Sequence, residues 1–196
     1  MPERHLHTLP ADLPVPEDDG ACDHLPGTRL PSVALPSTAG GSVDLSALSG
    51  RTVVFCYPRT GRPDQPGLVP GWDQIPGARG CTPQACAFRD HTDEIEARGC
   101  RLYGLSTQDT EYQKEAAARL HLPFALLSDA DLGFARALRL PTFTAAGMVF
   151  IKRLTLIIRD AVIETVFYPV FPPDRSPDEV LAWLDRQAEA PSPTSD

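Results

Sequence analysis

The segment Arg79-Gly80-Cys81-Thr82-Pro83-Gln84-Ala85-Cys86-Ala87-Phe88-Arg89-Asp90 holds the residues best suited to chemistry in this chain. Thr82 reads as an N-cap and Pro83 as the first residue of a helix, so Cys81 falls at an exposed helix entrance. Free backbone N–H groups and the positive end of the helix dipole favour an anion at that place. A thiolate is the expected form, and a thiolate is both a nucleophile and an oxidisable group. The plain alternative, a small buried apolar cysteine, fits less well with the flanking glycine and the Thr-Pro pair. Cys86 follows five residues later. Ideal helix geometry separates such Cα atoms by roughly 8–9 Å and about 140° around the axis, whereas a disulfide needs about 4.4–6.8 Å. The two sulfurs can join only if the first turn or two unwinds, which suits a cycle with two conformations better than a permanent staple; packing against a sheet is the alternative role for Cys86.

Arg153 is the third residue of chemical interest. It interrupts a run from Val149 to Ile158 that is apolar apart from Lys152 and Thr155. Burying an unpaired guanidinium is costly, so Arg153 should meet an anion, either a thiolate or a carboxylate such as Asp90. Arg89 reads as a helix brace. Cys56 lies in an apolar run and reads as core, Cys100 as a partly buried strand residue, and Cys22 as a free thiol or a second resolving partner. Cys81, Cys86 and His91 lack the short CxxC-type spacing of structural zinc. Trp72 is placed either over the site or at a subunit contact.

The elements that must position these groups follow from pattern. The chain has 196 residues, 42% apolar and 22% charged, which fits one soluble α/β domain with a sizeable core. Its net charge of −8 argues against general nucleic-acid binding or adhesion to an anionic membrane. No apolar run approaches the roughly 20 residues of a membrane span, and Met1-Pro2-Glu3-Arg4-His5 lacks a secretory signal's apolar stretch, so a cytoplasmic location is expected. Five cysteines, odd in number and irregularly spaced, agree with a reducing compartment.

Residues 1 to about 31 are proline-rich and aperiodic, an extended N-terminal arm, with the domain at 32–190 and a mobile tail at 191–196. Ser32 to Leu45 predicts a small hairpin and Val53-Val54-Phe55-Cys56-Tyr57 a central strand. Residues 58–80, rich in proline and glycine, form a long loop of a length that tends to be functional or disordered. A helix is predicted from Thr82 to Gly99, a strand at Leu102–Leu105, a helix at Asp109–Leu120, a strand at Phe124–Leu127, and a short helix at Asp131–Leu138. Met148–Ile158 and Val162–Tyr168 predict strands joined as a hairpin. Ser176-Pro177-Asp178-Glu179 predicts a capping box opening the last helix.

Gly80 to Asp90 is similar to the Gly-Cys-Thr-x-x-x-Cys-x-Phe-Arg-Asp segment of peroxiredoxins, specifically the peroxiredoxin Q or bacterioferritin comigratory protein group. The likeness extends through Leu45 to Pro58, Leu126-Leu127-Ser128-Asp129 and Arg153 to Ile158, covering roughly residues 30 to 186. It implies a thioredoxin-like fold with an N-terminal β-hairpin, a central mixed sheet and helices on both faces. It also implies thiol-dependent reduction of hydrogen peroxide or organic hydroperoxides, with Cys81 peroxidatic, Cys86 resolving and Arg153 beside the thiolate. A thioredoxin-like dithiol would be the reductant, the chain would act as monomer or homodimer, and no metal, flavin or haem is called for. One departure stands out. The family's Pro-x-x-x-Thr-x-x-Cys loop would place proline and threonine at positions 74 and 78, but Gln74 and Ala78 stand there. Pro58 and Thr60 are the expected substitutes for binding substrate. A thioredoxin-type reductase is disfavoured for want of a Cys-x-x-Cys pair, and a redox-sensing switch without efficient turnover is the reading from another class.

Overall fold

The computed structural model describes residues 6–189. Met1 to His5 and the tail expected to be mobile at 191–196 lie outside the described residues. In chain order the elements are β1 (Ala34–Pro36), β2 (Ser42–Asp44), β3 (Arg51–Cys56), α1 (Cys81–Asp90), α2 (Thr92–Ala97), β4 (Cys100–Ser106), α3 (Thr110–Arg119), β5 (Leu126–Ser128), α4 (Gly133–Leu138), β6 (Thr142–Ala145), β7 (Met148–Ile151), β8 (Leu154–Arg159), β9 (Val162–Phe167) and α5 (Ser176–Glu189).

Five strands form the central sheet in the order β5-β4-β3-β8-β9. β3 runs parallel to β4 and antiparallel to β8, and β4 runs parallel to β5, so the sheet is mixed. The apolar run of β3 is explained by its central place, because side chains alternate between two buried faces. Val53 and Phe55 face a layer built by α1, α2 and α5, with Phe88, Ile95, Val180 and Leu184. Val54 and Cys56 face α4 and part of the N-terminal segment, with Leu25, Phe134 and Leu138. The β1–β2 hairpin forms where the Ser-Thr-Ala-Gly-Gly turn predicts it. Residues 27–30 run along β9, where Gly27 N–H donates to Ile163 O at 2.8 Å and Leu30 N–H to Ala161 O at 2.8 Å.

Gly104 on β4 illustrates how tightly the site-bearing face is packed. A Cβ there would come within 2.6 Å of Leu126 Cδ2 and 2.8 Å of Phe55 Cζ. Phe55 in turn stacks on Phe88 of α1, ring centroids 4.4 Å apart and 9° from parallel. Gly104→Ala is therefore expected to cost about 1–3 kcal/mol through overpacking. A melting curve should show it as a fall of roughly 2–4 °C per kcal/mol. An unchanged midpoint would mean that Phe55 is free to move.

Four expectations are corrected. The first helix begins at Cys81, two residues before the expected first helical residue Pro83, because Gly80 at φ 108° turns the chain in the left-handed region and serves as N-cap. Thr82 is therefore inside the helix and Pro83 is its third residue. The same stretch breaks at His91, φ −110°, so the single helix predicted to Gly99 is two. The strand expected over Met148–Ile158 is likewise two, interrupted at Lys152-Arg153, and β7 pairs with the unpredicted β6 in a separate hairpin. Finally, Ser176 has helical angles, φ −54° and ψ −45°, after a 3-10 turn at Pro173–Arg175, and its side chain bonds elsewhere in place of capping α5.

Candidate active site

The C-terminal end of β3 creates the site. Cys56 pairs with Leu105 on β4 and with Leu154 at the start of β8, so Arg153, immediately before Leu154, lies beside the point where the chain leaves β3 through Tyr57, Pro58 and Arg59. α1 begins at this edge with Cys81. Gly80 is needed here for space as well as conformation, since a Cβ would collide with Pro173 and approach Leu9 Cδ2 at 2.9 Å.

Cys81 is 3% exposed, not at an open helix start as the sequence suggests, and its sulfur is reached from a cavity of about 250 Å³ that it lines. Arg153 Nη2 donates to Cys81 Sγ at 3.2 Å, and the Arg59 backbone N–H donates to it at 3.4 Å. As a thiol, Cys81 donates to Ala78 O at 3.6 Å. Arg153 is itself 3% exposed and has no carboxylate partner among the described residues; Asp90, the alternative anion, pairs with Arg89 at 2.8 Å. Arg89 also donates to Leu120 O at 2.9 Å and so braces α1 against the end of α3.

What holds Arg153 is a fork of acceptors. Nη1 donates to Gln84 Oε1 in a short hydrogen bond, and Nη2 reaches Gly77 O at 3.2 Å and Arg79 O at 3.2 Å. Gln84 Nε2 donates to Ser176 Oγ at 3.4 Å, and Ser176 Oγ lies 3.3 Å from Thr155 Oγ1. This chain of buried polar groups ties β8, α1 and α5 to the guanidinium aimed at the sulfur. No sequence signal marks Gln84 as distinct from an ordinary helix residue; the one available hint is an amide three residues after the cysteine on the same helix face.

Thr60 shares the cavity with Cys81, is 1% exposed, and donates its hydroxyl to Gln108 Oε1 at 3.1 Å. That bond leaves the lone pairs of Oγ1 free to accept. Pro58 is buried but does not line the cavity; it precedes Arg59, whose N–H faces the sulfur. Trp72 closes one wall, edge-on to Phe150 with centroids 5.3 Å apart and tilted to Phe143 at 5.9 Å, which places it over the site. Cys86 is half-buried on the folded α1, its sulfur 3.9 Å from His7 Nδ1, and burial pushes its thiol up. Burial also raises the thiols of Cys56 and Cys100 and pushes Cys22 up to about 12. All five cysteines are free.

The arrangement is that of a single sulfur with two N–H donors, one from a buried cation, open to a small cavity. Residues 25–182 match the family model described as Redoxin. The chain is also 31% identical to peroxiredoxin Bcp of Escherichia coli K12, covering 83% of this chain and 96% of that one. The chain belongs to the peroxiredoxins. Within the peroxiredoxins it falls in the Q/Bcp group, being 30% identical to the chloroplastic peroxiredoxin Q of Sedum lineare over 81% of this chain and 76% of the relative. The thioredoxin-like peroxiredoxin fold is shared with the solved structure of peroxidoxin BcpB from Mycobacterium tuberculosis, with TM-score 0.65 and 27% identity over 83% of this chain and 98% of that one. Among the described residues of this peroxiredoxin no helix is long and apolar enough to cross a membrane.

Proposed function

We propose that this peroxiredoxin reduces hydroperoxides at Cys81, resolves the product with Cys86, and is recycled by a thioredoxin-like dithiol. The observation that carries the reading is the pair of donors on the sulfur, Arg153 Nη2 at 3.2 Å and Arg59 N–H at 3.4 Å. Donors aimed at a reacting anion in a site screened from water stabilise developing charge strongly. The Cys81 thiolate attacks the terminal oxygen, a sulfur–oxygen bond forms, and the O–O bond breaks. Its electron pair leaves with the departing oxygen, which takes a proton and departs as water or an alcohol. The sulfur has lost two electrons and is a sulfenic acid. Thr60 Oγ1 accepts the O–H of the bound hydroperoxide in this scheme, standing in for the hydroxyl that Ala78 lacks. Pro58 fixes the turn that aims the Arg59 N–H.

Resolution joins Cys86 Sγ to Cys81 Sγ with loss of water, and an external dithiol then reduces the disulfide by thiol–disulfide exchange. Because α1 is fully wound from Cys81 to Asp90, this step requires its first turns to open. Both sulfurs lie on one helix, so the cycle closes within one chain whether the protein is monomer or homodimer. The odd number and irregular spacing of the five cysteines support a reducing compartment, and we place the activity in the cytoplasm.

Cys86→Ser tests the scheme. The variant is expected to consume one peroxide per chain and to hold a sulfenic acid on Cys81 that dimedone captures, while thioredoxin-coupled turnover falls by more than about tenfold. Undiminished turnover would mean a one-cysteine cycle or another resolving thiol.

A further inference from the structure

The cavity above Cys81 is out of character with the rest of the molecule. The chain carries a net charge of −8, yet among the described residues the lining of this cavity includes Arg59, Arg62 and Arg79 and no aspartate or glutamate. Arg62 pairs with Glu115 at 3.5 Å, but Glu115 also pairs with Arg119 at 2.7 Å. Arg79 lies 3.8 Å from Asp73, which is 41% exposed. Arg59 has no carboxylate partner among the described residues. Its guanidinium lies over the Tyr112 ring at 4.5 Å, and that of Arg62 lies over the same ring at 4.5 Å. A guanidinium held over a ring face keeps N–H donors for a planar anion. Two cations on one ring also repel each other, and an anion beside them relieves that repulsion.

Arg59 has a second property that fixes what the anion is attached to. Its backbone N–H touches Cys81 Sγ while its side chain ends on Tyr112, so one residue reaches from the reacting sulfur to the cationic wall. At about 250 Å³ the cavity is well beyond the roughly 10–15 Å³ that holds one water, more than hydrogen peroxide fills. Resting on the peroxidase reading above, we propose that the preferred substrate is a short organic hydroperoxide bearing a carboxylate, with the O–O bond at Cys81 and the carboxylate on the guanidinium of Arg59. The side chain of Arg62 adds charge at the cavity wall. The redox step is unchanged: the peroxide takes two electrons from Cys81 and leaves as the corresponding hydroxy acid.

The test is stopped-flow oxidation of Cys81 by hydrogen peroxide, by tert-butyl hydroperoxide, and by an analogue of the latter bearing a carboxylate on one methyl. Wild type is expected to react about tenfold faster with the carboxylate than with its neutral counterpart at low salt. Raising salt to about 1 M, where the Debye length is near 3 Å, should bring the two rates together. In Arg59→Gln the ratio should fall to within about twofold, and a general disturbance of the site cannot imitate this because it slows both substrates. A wild-type ratio at or below one, a preference indifferent to salt, or an unaltered ratio in Arg59→Gln would overturn the inference. Failure of all three peroxides to oxidise Cys81 in wild type would overturn the peroxidase reading instead.

Discussion

Cys81→Ser is expected to abolish peroxide consumption, with a loss of at least about 10³-fold, in line with the largest effects seen when a covalent nucleophile is removed. A serine hydroxyl is not an oxidisable nucleophile under these conditions, so the first step has no substitute atom at this position. The remaining thiols are poorly placed to compensate. Cys22, Cys56 and Cys100 are buried in the core, and burial holds each of them protonated. Cys86 is half-buried, with its thiol also pushed up. Peroxide disappearance coupled to thioredoxin reports the outcome, and turnover above about a tenth of wild type would remove Cys81 from its role.

Arg153→Met should produce the second largest effect, a fall of about 10²–10³ in the second-order rate of Cys81 oxidation, the usual consequence of deleting one donor from a charge-stabilising site. Thiolate and departing oxygen both lose the only side-chain donor that the described structure sets on the sulfur. Arg153→Lys is expected to recover only part of the rate, because an ammonium cannot bridge Gln84 Oε1, the Gly77 and Arg79 carbonyls and Cys81 Sγ in one plane. Single-turnover rates normalised to titrated thiol separate this effect from loss of folded protein. A Met variant that reacts at the wild-type rate would mean that the helix entrance and the Arg59 N–H suffice alone.

The sequence makes the central strand, the hairpin at β1–β2 and the order of helices legible because hydrophobic period and turn residues agree there. Val53 to Tyr57 is apolar because β3 is covered on both faces, and Asp109 caps α3 through its carboxylate to the Tyr112 N–H at 2.8 Å, as its position before a periodic stretch implies. Boundaries set by long-range contact are less legible. Gly80 takes over the cap from Thr82 through its left-handed φ of 108°, and Pro173, ninety-three residues away, leaves no room for a side chain there. Ser176 gives up a capping role because Gln84 and Thr155 compete for its hydroxyl. The β6–β7 hairpin turns through Ala146 and Gly147, both at positive φ, without the Asn-Gly or Asp-Gly pair that usually announces such a turn.

The candidate site divides along the same line. Cys81, Cys86 and Arg153 can be picked out because a cysteine beside a helix start and a cation in an apolar run are costly choices without a purpose. Thr60 is brought into the cavity by a loop whose path no local pattern encodes. Gln84 and Gln108, which orient Arg153 and Thr60, are invisible as sequence because an amide in a helix or loop is ordinarily unremarkable. Their meaning appears only once both are buried and facing a partner.

The most direct measurement is peptide mass spectrometry after one equivalent of hydrogen peroxide, with and without dimedone. Arg79 and Arg89 bound a tryptic peptide, Gly80 to Arg89, that carries both sulfurs. The account predicts dimedone on Cys81 at early times and, without the trap, loss of two hydrogens from this same peptide as the disulfide forms. Oxidation arriving first at Cys86, Cys22, Cys56 or Cys100, or a disulfide joining Cys81 to any sulfur outside this peptide, would contradict it.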